Sequence, residues 1–145
     1  MAITTAMCTS FKQELLGGVH DLDSHTLKLA LIKPSMSGTY GAATANYSDV
    51  TGNSDEASGT NYSAGGQNLD GATIAVSGTT AHVDFTDEVF SNVTVSADGC
   101  IIYNSSASNK AICVIDFGGT VSATAGDLTI EFPAAGASTA VIRIA

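Results

Sequence analysis

The chain has 145 residues and a mass of 14.6 kDa, the size of one domain and enough to bury a core without disulfides or metal. Fourteen acids against five Lys+Arg give a net charge of −9, which excludes a basic phosphate-binding face and disfavours adhesion to anionic lipid. Charged residues are only 13% of the chain, so few acids, bases or ligands are available for catalysis, and no apolar stretch nears the ~18 residues of a membrane span.

Residues 1–10, MAITTAMCTS, carry no side-chain charge and no periodicity. They predict an N-terminal arm that orders on binding, with residues 11–145 forming a single β-sandwich domain. Ser10 can cap a helix of about three turns, with Phe11, Leu15 and Val19 at i, i+4 and i+8 beside Leu16, and with Gly17–Gly18 as its stop. Thr26–Leu31, apolar at 27, 29 and 31, reads as a half-buried strand ended by Pro34. Residues 34–66 hold few aliphatic side chains and predict a long loop, with a helical turn near Asn46–Val50 and an anchor at Tyr62.

From Gln67 the pattern is strand and turn. Leu69, Ile74 and Val76 belong to one strand region, followed by a turn at Ser77-Gly78. Ala81, Val83 and Phe85 alternate with His82 and Asp84, which puts the latter two outward. Val89–Val95 leads to Asp98-Gly99, a dipeptide of the hairpin-turn type. Gly99–Asn104 and Lys110–Phe117, separated by SSASN, are nearly all apolar and suit central strands covered on both faces. Leu128, Ile130 and Phe132 alternate up to Pro133, and Ala140–Ala145 closes the chain as a strand. The fold class is mainly β: an antiparallel β-sandwich or jelly roll with one short N-terminal helix.

Chemistry-bearing clusters are sparse. His20, Asp21, Asp23 and His25 could ligate a metal, but a polar loop closed by Asp23 or Ser24 explains them better. Cys8, Cys100 and Cys113 are odd in number and form no C-x-x-C pair, so they read as reduced, largely buried thiols. Asp84, Asp87 and Glu88 read as a solvated turn before they read as a carboxylate pair. No basic region precedes an apolar core near Met1, so no secretory signal is expected, and Asn46, Asn61, Asn92 and Asn104 in Asn-x-Ser/Thr triplets reflect composition alone. No catalytic residue, metal or cofactor is expected.

The segments FKQELLGGVHDLDSHTLKLALI, GTNYSAGGQNL, SGTTAHVDFTD, DGCIIYNSSASNKAICVIDFGG, GDLTIEFPA and AVIRIA, in that order, resemble a family of small virion structural proteins of tailed bacteriophages. The resemblance runs from Phe11 to Ala145 and leaves out the arm and residues 34–53. It implies a component of a phage particle, and a one-domain acidic β protein is similar in kind to capsid decoration, or cement, proteins. On that resemblance the expected partner is the major capsid protein, the expected site is the capsid exterior of the virion, and synthesis is in the bacterial host cytoplasm. A homo-oligomer is expected from the composition, its trimeric form from the resemblance. The second reading is a tail or fibre-associated protein that contacts the host surface through Tyr40, Tyr47 and Tyr62; a cell-wall hydrolase ranks third. The candidate partner-binding side chains are Ile3 and Met7 on the arm, Phe11 and Leu15 on the helix, and those three tyrosines. Neither nucleic acid nor membrane is an expected partner.

Overall fold

A computed structural model describes all 145 residues, Met1–Ala145. In chain order the elements are β1 (Ala2–Ile3), β2 (Ala6–Met7), α1 (Thr9–Leu16), β3 (Leu27–Ile32), β4 (Thr39–Tyr40), α2 (Ser48–Gly52), β5 (Gln67–Asn68), β6 (Thr73–Ser77), β7 (Thr80–Asp84), β8 (Glu88–Asn104), a 3₁₀ turn (Ser105–Ala107), β9 (Lys110–Ile130) and β10 (Ile142–Ile144). The protein is mainly β, with a five-stranded antiparallel sheet ordered β2-β9-β8-β3-β5 and a three-stranded one ordered β10-β7-β6. A short parallel pair, β1 with β4, stands beside them. No helix is long and apolar enough to cross a membrane.

The two most apolar runs of the sequence lie side by side at the centre of the large sheet. Leu29–Ile32, Cys100–Tyr103 and Ala111–Val114 are buried at every position, so both faces of β3, β8 and β9 are covered there. Phe11 and Cys8 on one segment, and Tyr40, Val50, Ala57 and Tyr62 on another, belong to the same buried cluster. That cluster continues into the small sheet through Val83, Phe85 and Ile142, with Phe85 packed edge-on against Phe132.

Asp98-Gly99 does not turn the chain. β8 passes straight through it, because Gly99 is paired on both sides, with Ile32 of β3 and with Asp116 of β9. A side chain at Gly99 would meet the Ile115 carbonyl and the Ile3 side chain. The irregularity falls on the opposite strand: Ala97 pairs with Val121 while Gly99 pairs with Asp116, so Phe117–Thr120 bulge out. Asp98 holds that bulge, accepting a hydrogen bond of 2.5 Å from Thr120 Oγ1. The true turn follows Asn104, whose side chain accepts from the Ala107 N–H, with Ser108 and Asn109 at φ 56° and 60°.

The N-terminal ten residues are not a free arm. β2 pairs with β9 (Ala6 with Val114, Met7 with Cys113), β1 pairs with β4, and Cys8 is fully buried. An uncharged segment pays no charge-desolvation penalty in lying along a sheet edge, and its N–H and C=O groups find partners there. α1 is shorter than the stripe implied and ends before Val19, with Gly18 at φ 73° and the Val19 N–H returning to the Glu14 carbonyl. Cys8, not Ser10, occupies the N-cap, and the Ser10 hydroxyl is buried without a partner.

Ile102 is fully buried, whereas Ile115, two pairs closer to the bulge, is only half-buried. Ile102→Ala is therefore expected to cost about 2–5 kcal/mol and Ile115→Ala nearer about 1 kcal/mol, read from urea unfolding at unchanged m-value. Equal small losses at both positions would contradict a central β8.

Candidate functional site

The loop tyrosines, expected at the surface, face inward onto two adjacent carboxylates. Tyr40 is 2% exposed and its hydroxyl donates to Asp55 at 2.6 Å. Asp55, with no exposed surface, also accepts from the backbone N–H groups of Ser37 (3.0 Å) and Gly38 (2.7 Å) and lies 3.3 Å from Lys33 Nζ. Burial alone would raise the Asp55 pKa; Tyr40, Ser37 and Gly38 more than offset this and hold it well below the usual carboxylate range. Tyr40 is pushed up to about 12 by burial and by that carboxylate. On the other side of the chain, Glu56 accepts from Tyr47, from Tyr62 at 3.0 Å and from the Gly65 N–H at 2.6 Å. Tyr47 stacks on Tyr103 with centroids 4.5 Å apart, and Tyr103 donates to the Gly65 carbonyl at 2.7 Å. Tyr47, Tyr62 and Tyr103 thus tie residues 34–66 to the large sheet, while Tyr40 closes the segment on itself.

The candidate contact residues separate accordingly. Phe11, Tyr40 and Tyr62 are buried and cannot meet a partner. Phe11 packs edge-on against His20 at 5.0 Å, and Tyr62 accepts from the Leu31 N–H while lying against Phe90. Tyr47 is half-buried under its own stack, and Ile3 is half-buried against Gly99. Met7 and Leu15 alone line an open surface.

The polar clusters close on themselves. Glu14 bridges His20 Nε2 and Lys110 Nζ, each at 2.8 Å, and these partners hold its pKa down against the raising effect of burial. Asn104 Nδ2 donates to Nδ1 of both His20 (3.0 Å) and His25 (2.9 Å). Asp21, rather than Asp23 or Ser24, closes the turn, accepting from the N–H groups of those two residues. The two histidines are therefore committed to Asn104 and Glu14 rather than converging with Asp21 and Asp23. His82, expected outward, is 5% exposed, bonded through Nε2 to Ser77 and left with Nδ1 unpartnered. Glu88 is buried at the start of β8, not in a solvated turn, and burial with Asp70 nearby raises its pKa. Asp87 accepts from the Phe132 N–H. The three thiols are free and buried, with Cys8 and Cys100 each pushed up to about 12, chiefly by burial.

One open groove, between Lys33, Ser58–Thr60 and Thr94–Ser96, is polar; the others are apolar. On the small sheet the register puts Ile74, Val83 and Ile142 in one row and Val76, Ala81 and Ile144 in the next, all on one face. The inner members Val83 and Ile142 are buried, while Ile74, Val76 and Ile144 are 54%, 70% and 50% exposed. A groove of about 440 Å³ runs between this face and the end of α1, lined by Leu15, Leu22, Ile74, Val83 and Ile142. A second groove, lined by Met7, Lys12, Leu15, Leu16, Arg143 and Ile144, shares Leu15 and Ile144 with the first, so the apolar surface is continuous. Leu16, on the second groove, is 92% exposed, and two of the chain's five Lys+Arg, Lys12 and Arg143, line the same groove. Another groove, between β9 and the C-terminal segment, holds Ile115, Phe117, Phe132 and Val141, all of them half-buried.

Sequence reading marked Met7 and Leu15 but missed Leu16, Ile74, Val76 and Ile144. Both segments read as strands in the sequence; that the face shared by β6 and β10 stays open depends on tertiary placement. No family model, curated protein or solved structure matches the chain.

Asp55 carries a pH signature. Its folded pKa lies below the unfolded value of 3.8, so its stabilisation is complete above that value and is lost as pH falls through the folded pKa. Asp55→Asn is expected to cost about 3–5 kcal/mol at pH 7 and to flatten the acid limb of the stability profile below about pH 4. Chemical denaturation at a series of pH values measures both, and an unchanged acid limb would contradict the clasp.

Proposed function

We propose that this chain is a non-enzymatic structural protein of a phage virion, decorating and stabilising the capsid by binding the outside of the major capsid protein shell. The observation that carries a binding role is the continuous apolar surface of Leu15, Leu16, Ile74, Val76 and Ile144. Exposed apolar residues scattered singly need no explanation, but a contiguous patch with a polar rim marks an interaction site. Lys12 and Arg143 give the rim a local positive character on a chain of net charge −9, which favours a partner with carboxylates around an apolar contact. The phage setting comes from the sequence resemblance. A particle protein that binds the assembled shell and not its free subunits stabilises the shell by mass action, and a repeated lattice adds avidity. The tail-adaptor reading loses its aromatic platform, since Tyr40 and Tyr62 are turned onto carboxylates.

Quantitative mass spectrometry of purified particles tests the reading: a copy number comparable with that of the shell protein is expected, and a handful per particle would point to the tail. Leu16→Asp, at a side chain 92% exposed, should leave the fold intact and weaken retention on particles by about tenfold or more. Retention equal to that of the unaltered chain would move the docking site elsewhere.

A further inference from the structure

β6 is the outer strand of the small sheet: β7 pairs along one edge and nothing pairs along the other. The outer edge of β9 is also unpaired beyond Val114, but Asp116 and Asp127 and the bulge at Phe117–Thr120 guard it. The outer strands of the large sheet, β2 and β5, have two residues each, and β10 has three, among them Arg143. Exposed edges in natural proteins are guarded by charge, proline, a bulge, shortness or a covering segment, because their free N–H and C=O groups template further pairing. β6 has none of these guards. Gly71–Ala81 contains no charged residue and no proline, and the β6–β7 register is unbroken from Thr73↔Asp84 to Ser77↔Thr80. Ile74 and Val76 project from it more than half exposed.

We infer that β6 pairs antiparallel with β6 of a second copy of this chain, around a two-fold axis at Ala75, joining two three-stranded sheets into one of six strands. The occupant is a second copy because the strand is its own complement. In this register Thr73 meets Ser77, Ile74 meets Val76 and Ala75 meets Ala75, each pair once in either direction, as an isologous contact requires. Directly opposed residues share a face, so Ile74 and Val76 of both copies form one apolar row. Charge makes the same selection. Two chains of −9 can approach closely only where neither presents a carboxylate, and Gly71–Ala81 is such a stretch. The row joins Ala81, Val83, Ile142 and Ile144 on each side, so the pairing would present two copies of the docking surface proposed above on one continuous sheet face. The inference shares that face with the decoration reading but does not depend on it, and its test needs no particle.

Sedimentation velocity on the full chain across about 1–100 μM should show a two-copy mass in this range of weak to moderate affinity. Ile74→Lys and Val76→Glu, each made alone, should raise the dissociation constant at least about tenfold. The double variant I74K/V76E places opposite charges across the axis at both pairs and should recover the two-copy mass, a rescue that only this register gives. Circular dichroism and melting of each variant read folding separately, and the exposure of both positions leaves the monomer fold intact. A monomer at every concentration, a three-copy mass, an assembly indifferent to either single variant, or a double variant as weak as the singles would each overturn the pairing. The Leu16→Asp retention assay is unaffected by any of these results, so failure here and failure of the decoration reading can be told apart.

Discussion

A carboxylate with no exposed surface, Asp55, is the point on which the long segment 34–66 depends. That segment holds few aliphatic side chains, and the burial of Tyr40, Val50, Ala57 and Tyr62 anchors it only at separate points. Between those points it is ordered by an ion that would be costly to bury without donors, and the donors come from the segment itself: Tyr40, Ser37 and Gly38, with Lys33 from the end of β3. The geometry then propagates. Asp55 fixes β4, β4 pairs with β1, and the chain from β1 to β2 lies along β9. Glu56, the next residue, gathers Tyr47, Tyr62 and Gly65 on the opposite side, so consecutive acids clamp the segment from two directions.

The same device recurs at several irregular stretches of backbone. Asp49 accepts from the N–H groups of Ala45 and Asn46, Asp98 holds the β9 bulge, Asp116 accepts from Gly118, and Asp127 accepts from Asn92, which sits at φ 52°. Acids that read in the sequence as a solubilising exterior are in large part acceptors for backbone groups that no ladder satisfies. With only five Lys+Arg for fourteen acids, backbone N–H groups rather than cations are the donors that stabilise many of the carboxylates.

Strand content, the two central runs and the antiparallel layering were legible because they rest on local periodicity and apolar run length. The departures share one cause, which is competition from pairing that is distant in sequence. Asp98-Gly99 has the local signature of a turn, yet β3 and β9 both claim it as strand. Residues 1–10 lack periodicity because two-residue strands are too short to show one. Tyr40, Tyr47 and Tyr62 sit in a polar segment, where aromatic side chains suggest a contact surface; only the placement of Asp55 and Glu56 reverses that. Of the interaction surface, Leu15 and Met7 could be read from the sequence, whereas Ile74, Val76 and Ile144 gain meaning from a face that the rest of the chain leaves uncovered.

The burial of Cys8, Cys100 and Cys113 gives the molecule an internal clock for its own opening. A thiol held protonated and out of water reacts with an alkylating reagent only in the moments when its surroundings part, so each cysteine times a different event. Cys8 lies where the N-terminal segment joins β9, while Cys100 and Cys113 lie on neighbouring strands in the middle of the large sheet. Peeling of the N-terminal segment would label Cys8, uncover the edge at Cys113 that pairs with Met7, and spare Cys100. Cooperative loss of the sheet would label all three together. The order of labelling therefore distinguishes a protein that frays from its N-terminal end from one that opens as a unit.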